Sequence, residues 1–260
     1  MDIYDNESEI IDIFMDEEHS DVCLIPQDDE TEKVYLSMHE QENRKYWVDT
    51  SGKGDPPPDF YSNHFNLMME VMRVDDHGFI GEKGGIVNPT RALESKTAKE
   101  LKDSGIMEHF PNAKLHMIVD TGLPTKQDHN YKFYRDSFLR AIESHKKKID
   151  RYKANHPKCK VVFFVFDESS AYAEVPDKRE HRQIGQQFAG RLHCWFADAA
   201  FLSSFRTSEI DYLIWYSPYK KIDLIDGQQV TLPRVVVYNI KKMDIDDIAY
   251  NEDFMMSVEV

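Results

Sequence analysis

The chain has few cysteines, no long apolar run, and no lysine or arginine in its first 32 positions. Cys23, Cys159 and Cys194 are an odd, scattered set. They exclude a disulfide framework and a four-cysteine zinc site, and they read as reduced structural thiols. No apolar stretch approaches the roughly 18 residues of a membrane helix, so no membrane association is expected. The start Met1-Asp2-Ile3-Tyr4-Asp5 lacks the basic and apolar parts of a secretory signal, which makes the cytoplasm the expected compartment. Nucleotide-binding glycine loops, a G-x-S-x-G elbow and an H-E-x-x-H pair are all missing, so those chemistries have no support.

What is present describes a folded chain of 260 residues, 41% apolar and 12% aromatic, enough for one sizeable core. Its net charge of −15 argues at first against a phosphate-binding surface. The charge is unevenly spread, however. Residues 1–32 hold thirteen acids and no Lys or Arg, and residues 244–260 hold six acids and no Lys or Arg. The body, 33–243, carries 28 acids against 32 bases, a net of +4. This divides the chain into an acidic N-terminal segment (1–32), an α/β domain (33–243) and an acidic C-terminal tail (244–260). The ends read as solvated tails, or as segments lying across a basic groove and competing there with a polyanion.

Periodicity predicts a short helix at Ser8–Met15 and a second at Val34–Trp47, whose three- and four-residue spacing puts Glu42 on the apolar stripe. The Gly/Pro stretch 52–58 ends that helix. Phe65–Val74 reads as a strand buried on both faces, followed by a turn at Asp75–Gly78 and a short helix near Ala98–Lys102. Lys114–Val119 and Lys160–Phe166 read as strands joined by a long helix, in which Tyr134, Phe138, Ile142, His145, Ile149 and Tyr152 form one face. Such a crossover implies two parallel strands. Ile210–Tyr216 and Arg234–Ile240 add two more strands. The fold class is therefore α/β, a single domain with a central mixed β-sheet flanked by helices.

The chemistry-bearing stretch is Pro58-Asp59 followed by Glu70 on an apolar strand. A carboxylate in the middle of FNLMMEVMRV is costly to bury unless it is paired or holds a cation. Two carboxylates brought together from adjacent strand segments suit a cation that prefers oxygen ligands. With the acid-bearing helix before it, and the helix and buried strand after it, this stretch resembles the PD-(D/E)XK nuclease superfamily over residues 34–166. The family's restriction-endonuclease-like core runs helix, three strands, helix, strand, with residues 75–113 as an insertion. The resemblance implies a Mg²⁺- or Mn²⁺-dependent nuclease acting on nucleic-acid phosphodiesters, with Asp59 and Glu70 as catalytic metal ligands and Glu42 as a third carboxylate. Met72 stands where the family has its lysine, and strand alternation turns Arg73 to the other face. The helix offers Lys146 as the catalytic replacement, from the run Lys146–Lys148. The alternative is a non-catalytic interaction protein that keeps the fold and recruits a protein partner.

Arg140, Lys147, Lys148 and Arg151 could follow a phosphate backbone, or simply form a solvated helix face. A second polar cluster, Asp167–Tyr172, sits at a strand's carboxyl end, where ligands gather in α/β sheets. Asp120-Thr121-Gly122 could face the same crevice. The plainer reading of the cluster is a serine-rich strand terminus.

Overall fold

The computed structural model describes residues 7–52, 58–81, 83, 85–109, 122, 129–175, 190–223 and 229–258. In chain order the principal elements are α1 (Glu7–Asp16), β1 (Val22–Ile25), α2 (Asp29–His39), a 3₁₀ turn (Gln41–Tyr46), β2 (Val48–Asp49), β3 (Phe60–Ser62), β4 (Leu67–Val74), β5 (Phe79–Ile80), β6 (Ile86–Val87), α3 (Pro89–Asp103) and α4 (Ile106–His109). There follow α5 (Tyr131–Lys146), α6 (Ile149–Asn155), β7 (Lys160–Asp167), β8 (Tyr172–Glu174), β9 (Arg191–Leu192), α7 (Ala199–Phe205), β10 (Tyr212–Tyr216), β11 (Lys221–Asp223), β12 (Gln229–Thr231), β13 (Val235–Asn239) and β14 (Met255–Ser257).

The apolar runs of β4, β7, β10 and β13 form the centre because alternate residues of each can be buried on opposite faces of one sheet. That sheet has seven strands in the order β1-β13-β10-β7-β4-β3-β2. β4, β7 and β10 are mutually parallel, whereas β3 runs antiparallel to β4 and β13 antiparallel to β10. The chain is thus the single α/β domain with a mixed sheet that its periodicities predict. On one face Met68, Met72, Phe163 and Trp215 pack under Tyr134, Phe138 and Ile142 of α5 and Phe201 and Phe205 of α7. On the other, Met69, Val71, Phe164 and Ile214 pack under Ile10, Ile11 and Phe14 of α1 and Val34, Tyr35 and Met38 of α2. Each such side chain contributes roughly 1.5–3 kcal/mol on burial, which is what makes this three-layer arrangement cohere. Among the described residues no helix is long and apolar enough to cross a membrane.

The described parts of the acidic ends, 7–32 and 244–258, are packed into the domain and are not tails. Residues 7–32 supply α1, the edge strand β1 and the start of α2, so deleting them would strip Ile10, Ile11 and Phe14 from the core rather than uncover a basic groove. Their acids have cationic partners within the domain: Asp12 with Arg44, Glu17 with Arg234, Glu30 with Lys160 and Lys242. At the other end β14 pairs with β8, and Ile245 packs against the core.

Two helix boundaries also differ from expectation. Asp28 caps α2 by accepting from the Thr31 N–H, so that helix starts earlier, and it stops at His39 because Glu40 is extended. The long helix breaks at Lys147–Lys148 into α5 and α6. Lys114–Val119 and Asp120-Thr121 lie outside the described residues. β7 is hydrogen-bonded to β4 on one side and β10 on the other, both parallel to it.

Candidate functional site

The β3–β4 hairpin positions the first carboxylate pair. Its turn places Asn66 at φ 54°, a left-handed conformation that asparagine tolerates. The ladder then pairs Phe60 with Met69, which brings Asp59, just before β3, into line with Glu70. Alternation sends Phe60 and Met69 into the α1/α2 face, while Glu70 lies between Met68 and Met72 on the α5 face. Asp59 Oδ2 accepts from the Val71 N–H at 2.8 Å.

Glu70 is only 4% exposed. Its Oε1 accepts from the Tyr152 hydroxyl at 2.7 Å, lies 2.6 Å from His145 Nδ1 and accepts from Lys148 Nζ at 3.4 Å. Its Oε2 is buried with no hydrogen-bond partner among the described residues. Burial pushes the Glu70 carboxyl up, but the His145 and Tyr152 hydrogen bonds and the charges of His145 and Lys148 hold it below the usual carboxylate range. Asp59 goes the opposite way: burial, reinforced by the Glu70 charge, raises it to about 7. Environments that separate two neighbouring carboxyls in this way give one a proton to donate near neutrality and keep the other ionised.

The expected site residues are only partly brought together. Asp59 and Glu70 are neighbours across the hairpin, near enough for the Glu70 charge to act on Asp59. Glu42 does not join them: the end of α2 at His39 leaves it exposed on the 3₁₀ turn, and among the described residues these three acids do not form a cluster with ligand atoms within 4.8 Å. Lys146 points away from Glu70, to Glu143 Oε1 at 2.5 Å and the Ser204 carbonyl at 3.1 Å. Lys148 is the lysine that reaches Glu70. Met72 is 4% exposed beside it on the same face, among apolar neighbours. Arg140, Lys147 and Arg151 are exposed on the helices, with the Arg140 guanidinium 5.4 Å from the centre of the Phe133 ring.

His145 and Tyr152 were legible only as members of an apolar helix stripe. The usable signal was the spacing of 145, 148 and 152, which puts an imidazole, an ammonium and a phenol on one side of a helix that covers a strand carrying a buried acid.

At the carboxyl end of β7, Asp167 is a saturated structural centre. It accepts from the Tyr134 hydroxyl at 2.6 Å, Trp215 Nε1 at 2.8 Å, and Ser169 N and Oγ at 2.9 and 2.6 Å, and it pairs with buried Lys220 at 3.4 Å. Glu168 is held by Arg73. The plainer reading of this cluster, a strand terminus closed by its own hydrogen bonds, fits these contacts.

Fold and site define an α/β protein with a carboxylate pair of opposite pKa shifts, Glu70 buried and Asp59 half-buried, and with Glu70 Oε2 unpartnered among the described residues. Compared with family models, curated proteins and solved structures, the chain has no match.

Proposed function

We propose that the chain is a Mg²⁺- or Mn²⁺-dependent, nuclease-like protein acting on nucleic-acid phosphodiesters, a reading that keeps the PD-(D/E)XK resemblance. The observation that carries it is the asymmetry of Glu70, with Oε1 engaged by three donors while Oε2 is buried and unpartnered beside Asp59. A hard divalent cation fits oxygen ligands of this kind, and Asp59 with Glu70 Oε2 would hold it. When bound, it would lower the pKa of a water and neutralise phosphate charge. The chain's own residues do the remainder. Tyr152 and His145 fix the Glu70 carboxylate, and the Asp59 carboxyl exchanges a proton near neutral pH. The Lys148 ammonium, its side chain 42% exposed, offers the positive charge that Met72 cannot. The element order α2, β2, β3, β4, α5, β7 supports the resemblance, with the insertion between β4 and α5. Exposed Lys147 and Arg151, flanking Lys148 in the chain, would supply phosphate contacts, whereas the Arg140 guanidinium lies over Phe133, towards the other end of α5.

Cleavage of single- and double-stranded DNA and RNA, assayed with Mg²⁺ and Mn²⁺, tests this. Glu70→Gln is expected to lower the rate by about a thousandfold or more, as loss of metal-borne charge stabilisation should. Lys148→Ala should cost about tenfold to a hundredfold, and Lys146→Ala should cost nothing measurable. Cleavage that survives Glu70→Gln removes the assignment. Met72 in the lysine's place favours a second reading, in which the fold binds without cleaving. Absence of cleavage by the unaltered chain, with nucleic-acid or protein binding unchanged in Asp59→Ala and Glu70→Ala, would select that reading.

A further inference from the structure

A second site lies at the other end of α5. β4 ends at Val74, and the Asp76 carbonyl accepts the Asn130 N–H at 2.9 Å, which ties the strand terminus to the first turn of α5. Asn130 also caps that helix, accepting from the Phe133 N–H at 3.0 Å. Gly78 lies flat on the Phe133 ring, where an added Cβ would meet ring atoms at 2.2–2.5 Å, so only glycine lets the loop approach this closely. The result is that His77 and His129, far apart in the chain, flank one carboxylate. Fifteen residues of α5 separate this end from His145, about 22 Å at 1.5 Å per residue.

Asp76 is fully buried, and its two oxygens are used differently. Oδ2 accepts from Ser170 N at 3.0 Å, Ser170 Oγ at 2.9 Å and the Tyr172 hydroxyl at 2.6 Å. Those donors clamp the carboxylate and leave Oδ1 to the imidazoles. His129 Nδ1 is 3.2 Å from both Oδ1 and Oδ2, and His77 Nδ1 is 3.7 Å from Oδ1. One ligand atom from each of the three residues falls within 4.8 Å of the others. Bonds of about 2.0–2.2 Å at tetrahedral angles place ligand atoms about 3.3–3.6 Å apart; the 3.2 and 3.7 Å separations lie on either side of that range, and the third is no more than 4.8 Å. Among the described residues the nearby cations have acidic partners: Arg91 pairs with Asp75 at 2.8 Å, Arg73 with Glu168 and Glu94, and Lys220, which reaches the Ser170 carbonyl, with Asp167 at 3.4 Å.

We propose that Asp76, His77 and His129 form a binding site for a borderline divalent transition metal of the zinc class, separate from the Asp59–Glu70 pair. The ligand set decides the class, because two imidazoles and one carboxylate suit Zn²⁺ or Co²⁺ better than Mg²⁺, which keeps to oxygen. Ser170 and Tyr172 act as outer partners that orient the carboxylate. The histidine side chains are 21% and 12% exposed, so solvent reaches both imidazoles and water can serve as a further ligand.

The test is Co²⁺ and Zn²⁺ titration of the full chain after dialysis against a chelator. One equivalent of Co²⁺ is expected, with visible absorption of a four-coordinate N₂O₂ site in which water is the fourth ligand. His77→Ala combined with His129→Ala should weaken binding more than about a hundredfold. Glu70→Gln should leave it unchanged, which separates this site from the nuclease-like reading. Nitrogen NMR of the unaltered chain covers the case in which the double variant does not fold: Zn²⁺ should shift Nδ1 of His77 and His129 and no other imidazole. Absence of Co²⁺ and Zn²⁺ binding, binding undiminished in the double variant, or shifts confined to other histidines would overturn the proposal.

Discussion

Lys220→Ala is expected to destabilise the folded chain by about 3–5 kcal/mol, because it removes one partner of a buried ion pair and leaves the other charged. Lys220 is 4% exposed. Its ammonium donates to Ser169 Oγ and to the Ser170 carbonyl, lies 3.4 Å from Asp167 Oδ2, and sits 4.4 Å from the centre of the Tyr134 ring. Without it the Asp167 carboxylate keeps its Tyr134, Trp215 and serine donors but has lost its only counter-charge among the contacts described above. Urea unfolding measures the loss. The double substitution Lys220→Met with Asp167→Asn removes both charges while retaining an acceptor for Tyr134 and Trp215, and should recover much of it. A loss below about 1 kcal/mol for Lys220→Ala would mean that the lysine does not compensate Asp167.

The second large effect is pH-dependent and belongs to Asp59. Its carboxyl is raised from the ordinary 3.8 to about 7 in the folded chain. Between those values the folded state holds a proton that the unfolded state has released, so stability falls as pH rises across that window. Above pH 7 the whole cost of ionising Asp59 beside Glu70 is present. Asp59→Asn keeps an acceptor for the Val71 N–H and removes the ionisation. It is expected to stabilise the chain at pH 8 by on the order of 3 kcal/mol, and to change little near pH 4. Thermal unfolding at the two pH values gives the answer; equal effects at both would show that Asp59 is not the titrating group. Millimolar Mg²⁺ at pH 8 should raise the melting temperature of the unaltered chain and not that of Asp59→Asn, which links the pair to a cation without any activity assay.

How much of this was legible beforehand depends on the kind of interaction. Strands β4, β7, β10 and β13 were readable because a strand buried on both faces must be apolar along its length, a one-dimensional property. Glu70 stood out for the same reason, as a charge inside such a run. The α1/β1/α2 segment was misread because net charge dominated its composition, while Ile10, Ile11 and Phe14 carried the packing. Lys146 was chosen over Lys148 because a run of three lysines does not reveal its own orientation. The helix break at Lys147–Lys148 and the contact with Glu70 settle which ammonium turns inward.

The Asp76–His77–His129 cluster shows the limit most clearly. His77 and His129 are separated by 52 positions with no ligand spacing between them, and they meet because a strand end, a glycine flat against Phe133 and a helix cap converge. Local pattern was sufficient for the α/β class, the buried strands and the candidate acids, since each follows from periodicity and the cost of burying charge. Pairing across long separations was not, because side-chain partners depend on register, helix breaks and strand order, which the folded sheet alone establishes. That is why the seven-strand order, the choice of Lys148 and the Asp76–His77–His129 cluster came from the three-dimensional arrangement.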